Sequence, residues 1–234
     1  MSTSPDRQKP RGLNAVLESA EPRRRTFLDY RRFVQHQYDG LPGALTSVTG
    51  FLTGHEALAG RLIRPGAFDV RGRKRILDAA CGNGRYSRFL LKHADPDAHL
   101  TAFDLSPKML DRAASRLKSD RVTYAVADLA RMPYANHAFD AIVCGWVLEH
   151  LPDPRPGLRE LARVLEPGGQ LLLLSTEDTV LGGLCSRLWH CRTYNRRTLQ
   201  ATCVECGLIW NRELWFSGVH RFLHLGGIIV ELRV

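Results

Sequence analysis

Ile76-Leu-Asp-Ala-Ala-Cys-Gly-Asn-Gly-Arg-Tyr-Ser87 is the stretch that decides the fold of this chain. Its first half is an apolar run that ends at Gly82-Asn83-Gly84, and a helical stretch over Arg85–His93 follows. Strand, glycine turn and helix in that order open an α/β unit. The same grammar recurs downstream. HLTAFDL leads into a helix opening at Ser106-Pro107, with Ser as N-cap and Pro at the first helical position. VTYAVAD, the run FDAIVCGWV, a helix over residues 156–165 and LLLLSTE continue it. Short apolar strands separated by helices predict a Rossmann-like, doubly wound α/β fold with a mostly parallel sheet covered on both faces.

The end of the chain reads differently. After a helix over residues 195–206, closed by Gly207, come LIWNRELWF and GGIIVELRV with no helix-length segment between them. Strands joined without a crossover helix pair antiparallel, so a C-terminal hairpin should finish the sheet at one edge. Upstream, residues 1–25 are polar, charged and Pro-containing, and are expected to be a basic disordered tail. Residues 26–70 read as an N-terminal helical cap. Phe27, Tyr30, Phe33 and Val34 recur at helical spacing, and residues 55–63 do so again after a Gly-broken connection. The main domain then covers residues 71–234, with residues 177–194 inserted after the fifth strand.

Composition narrows the class of molecule. The chain has 234 residues, 44% hydrophobic and 24% charged, enough to bury the core of one ordinary domain. That excludes a chain disordered throughout, a collagen-like repeat and a small disulfide scaffold. The longest run free of polar residues, 141–148, falls far short of the ~20 needed to span a bilayer. The opening MSTSPDRQKPRG has no apolar core after its charges, so a cytoplasmic protein is expected. The net charge is +9, of which residues 1–35 supply +4, from eight basic and four acidic residues. Such a balance permits a nucleic-acid or anionic-surface partner, but aromatic interleaving is sparse and a solvated tail explains the charge, so such a partner is disfavoured.

Six cysteines are present: Cys81, Cys144, Cys185, Cys191, Cys203 and Cys206. Cys203-x-x-Cys206, with Cys185, His190 and Cys191 upstream, is an incomplete zinc pattern, because a second tight pair is lacking. Cys203 and Cys206 fall on the inner face of one amphipathic helix, so buried thiols and no metal are expected.

The glycine loop admits two ligands, a dinucleotide or S-adenosylmethionine, since both bring a backbone-hugging group to a helix N-terminus. Ser87 stands where a dinucleotide site has its third small residue. Asp78, at the strand end facing the loop, would repel a pyrophosphate but suits a ligand bearing an ammonium and a sulfonium. Asp104 ends the second strand, 26 residues after Asp78, where an acid can accept hydrogen bonds from both ribose hydroxyls. Asp128 follows the third strand and could take the exocyclic amine of an adenine. Each acid alone would pass for a loop or cap residue. Three successive strand-end acids beside a glycine loop mark the ligand edge of an open α/β sheet.

ILDAACGNGRYS, AFDLSPKML, VADLARMPYANHAFDAIVCGWVLEHLPD and RVLEPGGQLLLLS together resemble the successive motifs of class I S-adenosylmethionine-dependent methyltransferases. The nearest branch is the small-molecule one that includes ubiquinone- and menaquinone-biosynthesis methyltransferases. The resemblance spans about residues 75–176 and implies a seven-stranded sheet whose last strand is antiparallel. It also implies the cofactor S-adenosyl-L-methionine and a set of roles. Asp78, Gly82 and Gly84 would surround its methionine portion, with Asn83 between. Asp104 would hold the ribose, Leu105 and Met109 would pack on the adenine, and Asp128 and Leu129 would meet its other edge. Gly145 and Trp146 would line the cofactor near the sulfonium. Ala80 departs from the family, which commonly has Gly there; Ala is tolerated only if its φ is negative. Leu105, Met109 and Leu129 could equally be plain core.

Methyl transfer from a sulfonium needs orientation and desolvation first, and a general base only when the acceptor arrives protonated. His150, in GWVLEH beyond the fourth strand, is the leading candidate base, and it could equally partner Glu149 or Asp153. His190, His220 and His224 follow it. Tyr30 and Tyr38 could cover the cofactor from the N-terminal helices, though aromatic core packing is the favoured reading of each. The helices of residues 26–65 and the insertion 177–194 stand where the family builds its substrate lid, and Trp189, Trp210, Trp215 and Phe216 suit an apolar or aromatic small-molecule acceptor. The competing functions are an RNA- or protein-modifying methyltransferase and a non-catalytic S-adenosylmethionine-binding module. O-, C- and N-methylation are not distinguished by these residues, nor is the oligomeric state.

Overall fold

The computed structural model describes residues 29–30, 32, 55–189, 191–222 and 227–234. The expected tail, the remainder of the helical cap, Tyr38, His190 and His224 lie outside the described residues. Asp29, Tyr30 and Arg32 are helical, as their spacing implied.

Helix α1 (His55–Leu62) precedes strand β1 (Arg75–Ala79), helix α2 (Arg85–His93), β2 (His99–Asp104), α3 (Pro107–Leu117), β3 (Val122–Val126) and β4 (Phe139–Gly145). A 3-10 turn (Leu148–His150) leads to α4 (Arg155–Val164), β5 (Leu165–Ser175), α5 (Val180–Trp189), α6 (Arg196–Glu205), β6 (Ile209–Glu213), α7 (Gly218–Phe222) and β7 (Ile228–Arg233). The seven strands form one sheet in the order β3-β2-β1-β4-β5-β7-β6. The first five run parallel, and β7 inserts antiparallel between β5 and β6. The expected fold is therefore observed, with one correction. The link between the last two strands contains α7, a five-residue helix too short to leave a periodic signature in the sequence.

Both sheet faces are dry, which is why the strands read as continuous apolar runs. In β4, Ala141 and Val143 join one core while Ile142 and Cys144 join the other. The first core is covered by Tyr86 and Leu90 of α2 and Ala59 and Leu62 of α1. The second is closed by Leu158 and Leu161 of α4, by Leu199 and Cys203 of α6, and by Cys206 at its C-cap. Tyr30 is buried in this second core rather than lying over an open edge. Local signals read from the sequence hold. Ser106 caps α3 by accepting from the Met109 N–H at 3.1 Å, and Gly207 adopts φ 85° just beyond α6.

Parallel pairing aligns the carboxyl ends of the strands. Asp78 lies beside Ala102 of β2 and Val143 of β4, and Asp104 lies beside Val126 of β3. The ladder continues past the strand ends through Cys81 N–H to the Phe103 carbonyl (2.8 Å) and Ala127 N–H to the Asp104 carbonyl (3.1 Å). Everything that leaves these ends emerges on one edge.

Candidate functional site

The loop after β1 is shaped by its backbone. Ala80, Gly82 and Gly84 all adopt left-handed φ values, 57°, 54° and 76°. Glycine takes these values freely, whereas Ala80 contradicts the negative φ expected for it and holds a strain on the order of 1 kcal/mol. Above Gly82, a Cβ would meet nothing within 4 Å, so its backbone faces open space. Gly84 is glycine for packing as well: a Cβ there would approach Ala113 Cβ and Leu117 Cδ1 to 3.2 Å. Gly84 also stands at the N-cap of α2, which has no side-chain cap and no acid in its first turn. Its Ser87 N–H serves the Asp78 carboxylate, and the N–H groups of Arg85 and Tyr86 remain to favour an anion.

Asp78 lies beneath the loop, 1% exposed, and accepts the Ser87 hydroxyl at 2.5 Å. Burial raises its carboxyl to about 7, and neighbouring Asp104 pushes the same way. Asp104 ties the loop to β2. One carboxylate oxygen accepts the Gly82 N–H at 2.8 Å and the other accepts the Ser106 N–H at 2.9 Å. Asp128 accepts the Ala130 N–H at 2.9 Å, which sets the turn after β3. The structure thus brings the three acids to one edge. Asn83 sits in the loop between the glycines. Leu105 is half-buried against the second core, Leu129 is buried in it, and Met109 is buried on α3.

Beyond β4 the chain turns sharply at Trp146, φ 59°. The Trp146 indole N–H donates to the Tyr86 hydroxyl at 2.9 Å. A Cβ on Gly145 would fall 2.7 Å from the Tyr86 ring, so glycine is required where Tyr86 crosses the strand end. Burial raises the Tyr86 phenol to about 12, which keeps it neutral. Tyr86 was not singled out in the sequence; only the smallness of Gly145 hints at it.

Glu149 was named only as a possible partner of His150. It is 2% exposed, and one carboxylate oxygen accepts both the N–H and the hydroxyl of Thr176 at 2.8 Å. Burial raises it to about 7. Around it the insertion is fastened where it returns. Arg192 N–H reaches the Glu149 carbonyl (3.0 Å), the Arg192 guanidinium reaches Pro152 O (3.0 Å), and the Tyr194 hydroxyl reaches Leu148 O (2.8 Å). His150 closes the 3-10 turn, and burial lowers its imidazole to about 4, so it is neutral at physiological pH.

The other acceptor-side candidates are dispersed. His220 pairs with Ser217 at 2.7 Å and stands edge-on to Phe216, which is itself buried. Trp215 lies under the Arg196 guanidinium, 5.2 Å from ring centre, and Trp210 packs half-buried on β6. The Trp189 side chain is outside the described residues. Cys203 and Cys206 are buried thiols, as their helix face implied. Among the described residues no cluster of His, Cys, Asp or Glu is arranged to hold a metal.

Residues 77–173 match the family described as a methyltransferase domain. The malonyl-[acyl-carrier protein] O-methyltransferase of Hahella chejuensis is 34% identical over 141 residues, 57% of this chain and 50% of that protein. The demethylmenaquinone methyltransferase of Clavibacter sepedonicus is 41% identical over 101 residues, 43% of this chain and 40% of the relative. The chain thus spans about half the length of the curated relatives it matches. Among solved structures, the N-methyltransferase NodS of Bradyrhizobium japonicum, bound to S-adenosyl-L-homocysteine, superposes with a TM-score of 0.64. It is 20% identical, covering 87% of this chain and 97% of the other, and the likeness is one of fold. Residues 77–173 are thus similar to a methyltransferase domain, and the chain shares the fold of the N-methyltransferase NodS.

Proposed function

We propose that the chain binds S-adenosylmethionine and transfers its methyl group to a small apolar or aromatic molecule. The observation that carries this is the pairing of Asp78 with the uncapped N-terminus of α2. A buried carboxylate without a cationic partner among the described residues calls for a cation, and the first N–H groups of α2, those of Arg85 and Tyr86, call for an anion. The amino-acid end of S-adenosylmethionine brings both. Asp104, at the end of the next strand, is then the acid nearest the ribose, and Asp128 stands one strand further along for the adenine.

Bound there, S-adenosylmethionine supplies a methyl group on a sulfonium, activated for in-line displacement. The chain's own work is then orientation and exclusion of water. Gly82 lets the ligand touch backbone, Asp78 and Asp104 fix its two ends, and Tyr86 with Trp146 walls off the space past β4. His150 is a weak base with its imidazole held neutral, so it suits an acceptor that is readily deprotonated or needs no base. An acceptor of this kind agrees with the relatives named above, whose names give a demethylmenaquinone and a malonyl-carrier substrate.

Transfer of labelled methyl from S-adenosylmethionine to extracted metabolites, to bulk RNA and to proteins tests the proposal. Label in a metabolite supports it. Label only in RNA or protein moves the acceptor to a macromolecule, and binding without transfer to any fraction leaves a non-catalytic binding module.

A further inference from the structure

Helix α5 presents the wrong side of itself. Gly182, Gly183 and Ser186 are buried, while Val180, Leu181 and Leu184 are exposed, Leu184 by 63%. The orientation is locked. A Cβ on Gly182 would lie 1.8 Å from the Glu177 carbonyl oxygen, and the Ser186 hydroxyl donates to the Cys191 carbonyl at 2.5 Å. No half-turn of the helix could hide its large apolar residues. Helix α7 does the same with Val219 and Phe222, exposed by 64% and 85%.

The two helices rise from the same sheet edge. Helix α5 follows Ser175, which pairs with Ile228, and α7 follows Glu213, which pairs with Val230. Their roots are clamped together by Arg196, which binds Glu177 through two bonds (2.8 and 2.9 Å) and Glu213 at 3.0 Å. Five of the eight large exposed apolar residues in the described chain sit on these two helices, so the apolar surface is concentrated there. Neither α5 nor α7 includes a single acid, whereas Arg187 and Arg221 stand exposed on them. The surface is both apolar and cationic.

That combination selects the occupant. A second copy would bring like charge to like charge, each chain being +9. The chain's own residues 1–25 carry six basic residues against three acids and are of the same sign. An anionic bilayer offers an apolar layer beneath a negative surface, as amphipathic interfacial helices require. We propose that α5 and α7 form a peripheral docking surface for anionic lipid. No described helix is long and apolar enough to cross the bilayer, so the attachment is interfacial. It lies on the carboxyl edge of the sheet that also carries Asp78 and Asp104, which would let a lipophilic acceptor reach the site from the membrane. The docking itself stands whether or not the acceptor proposed above is right.

Co-sedimentation of the full chain with phosphatidylcholine vesicles, with and without phosphatidylglycerol, tests it. Binding is expected only when the anionic lipid is present. Phe222→Ser should weaken it about tenfold, since a largely exposed side chain has little folding role to lose. Arg187→Gln and Arg221→Gln should each weaken it about fivefold. Lys92→Gln and Lys118→Gln remove equal charge at the ends of α2 and α3, on the opposite sheet edge, and should change it little. Equal loss in those controls, or binding indifferent to Phe222→Ser and Leu184→Asp, would reduce the effect to net charge and overturn the proposal. So would a wild-type chain that ignores both vesicles, or one whose apolar face instead closes a dimer that Leu184→Asp dissociates. Binding of S-adenosylhomocysteine, followed in every variant, reports folding and stays independent of the outcome.

Discussion

Over β3, β2 and β1 the carboxyl edge of the sheet carries acids fastened to backbone; over β5, β7 and β6 the same edge carries two overhanging helices rich in apolar and basic residues. In the first region each ligand candidate is held by a bond to a nearby N–H, as Asp104 is by Gly82 and Ser106. In the second region the fixed points are long-range ion pairs and hydrogen bonds, such as Arg196 with Glu177 and Glu213. One side is rigid and suited to an invariant ligand. The other is an addition to the fold, anchored at its roots, and suits the part of the reaction that varies between relatives.

If the two regions divide the work this way, damage to one should spare the other. The largest effect is expected from Asp104→Ala, which removes two backbone bonds and the ribose acceptor together. Affinity for S-adenosylhomocysteine should fall by about 2–3 kcal/mol, roughly a hundredfold, in titration calorimetry. Arg196→Ala should behave in the opposite way. Leaving Glu177 half-stranded should cost about 2 kcal/mol of stability in denaturant melts, yet leave cofactor affinity within about twofold. A collapse of cofactor affinity in that variant would break the division.

A smaller effect should come from pH. In the free protein Asp78 stays protonated below about 7. A bound ammonium favours its ionised form, so binding must expel the proton. Affinity should therefore rise about tenfold from pH 6 to pH 8, flattening above the free value, and Asp78→Asn should abolish the slope. Glu149→Gln, also raised to about 7, should retain it, since Glu149 faces Thr176 on the acceptor side. The smallest effect belongs to Ala80. Glycine accepts its φ of 57° without strain, so Ala80→Gly should gain about 0.5 kcal/mol and raise the melting temperature slightly. A lower melting temperature would mean that Ala80 contributes packing that outweighs its strain.

The same contrast governs how much was legible in the sequence. Strand ends, the Ser106 cap and the three acids follow from short-range patterns, because period, capping and glycine placement act within a few residues. The bond between Tyr86 and Trp146 spans 60 residues, and that between Glu149 and Thr176 spans 27. No local spacing encodes such pairs. Ala80 was misjudged because a residue's identity constrains φ only weakly when the loop around it is fixed on both sides, here by Asp104 and α2. Helix α5 lies in the insertion read only as part of a lid, and the inward turn of its glycine face comes from a backbone contact with Glu177 that only the fold creates.

Titration calorimetry of the full chain with S-adenosylhomocysteine and, separately, with NADH tests the central claim most directly. The acid-lined edge is expected to bind one S-adenosylhomocysteine per chain, with binding strengthened as pH rises toward 8, and to give no heat with NADH. Tight NADH binding with no response to S-adenosylhomocysteine would contradict the account, because a pyrophosphate would then be sitting where Asp78 was argued to exclude it.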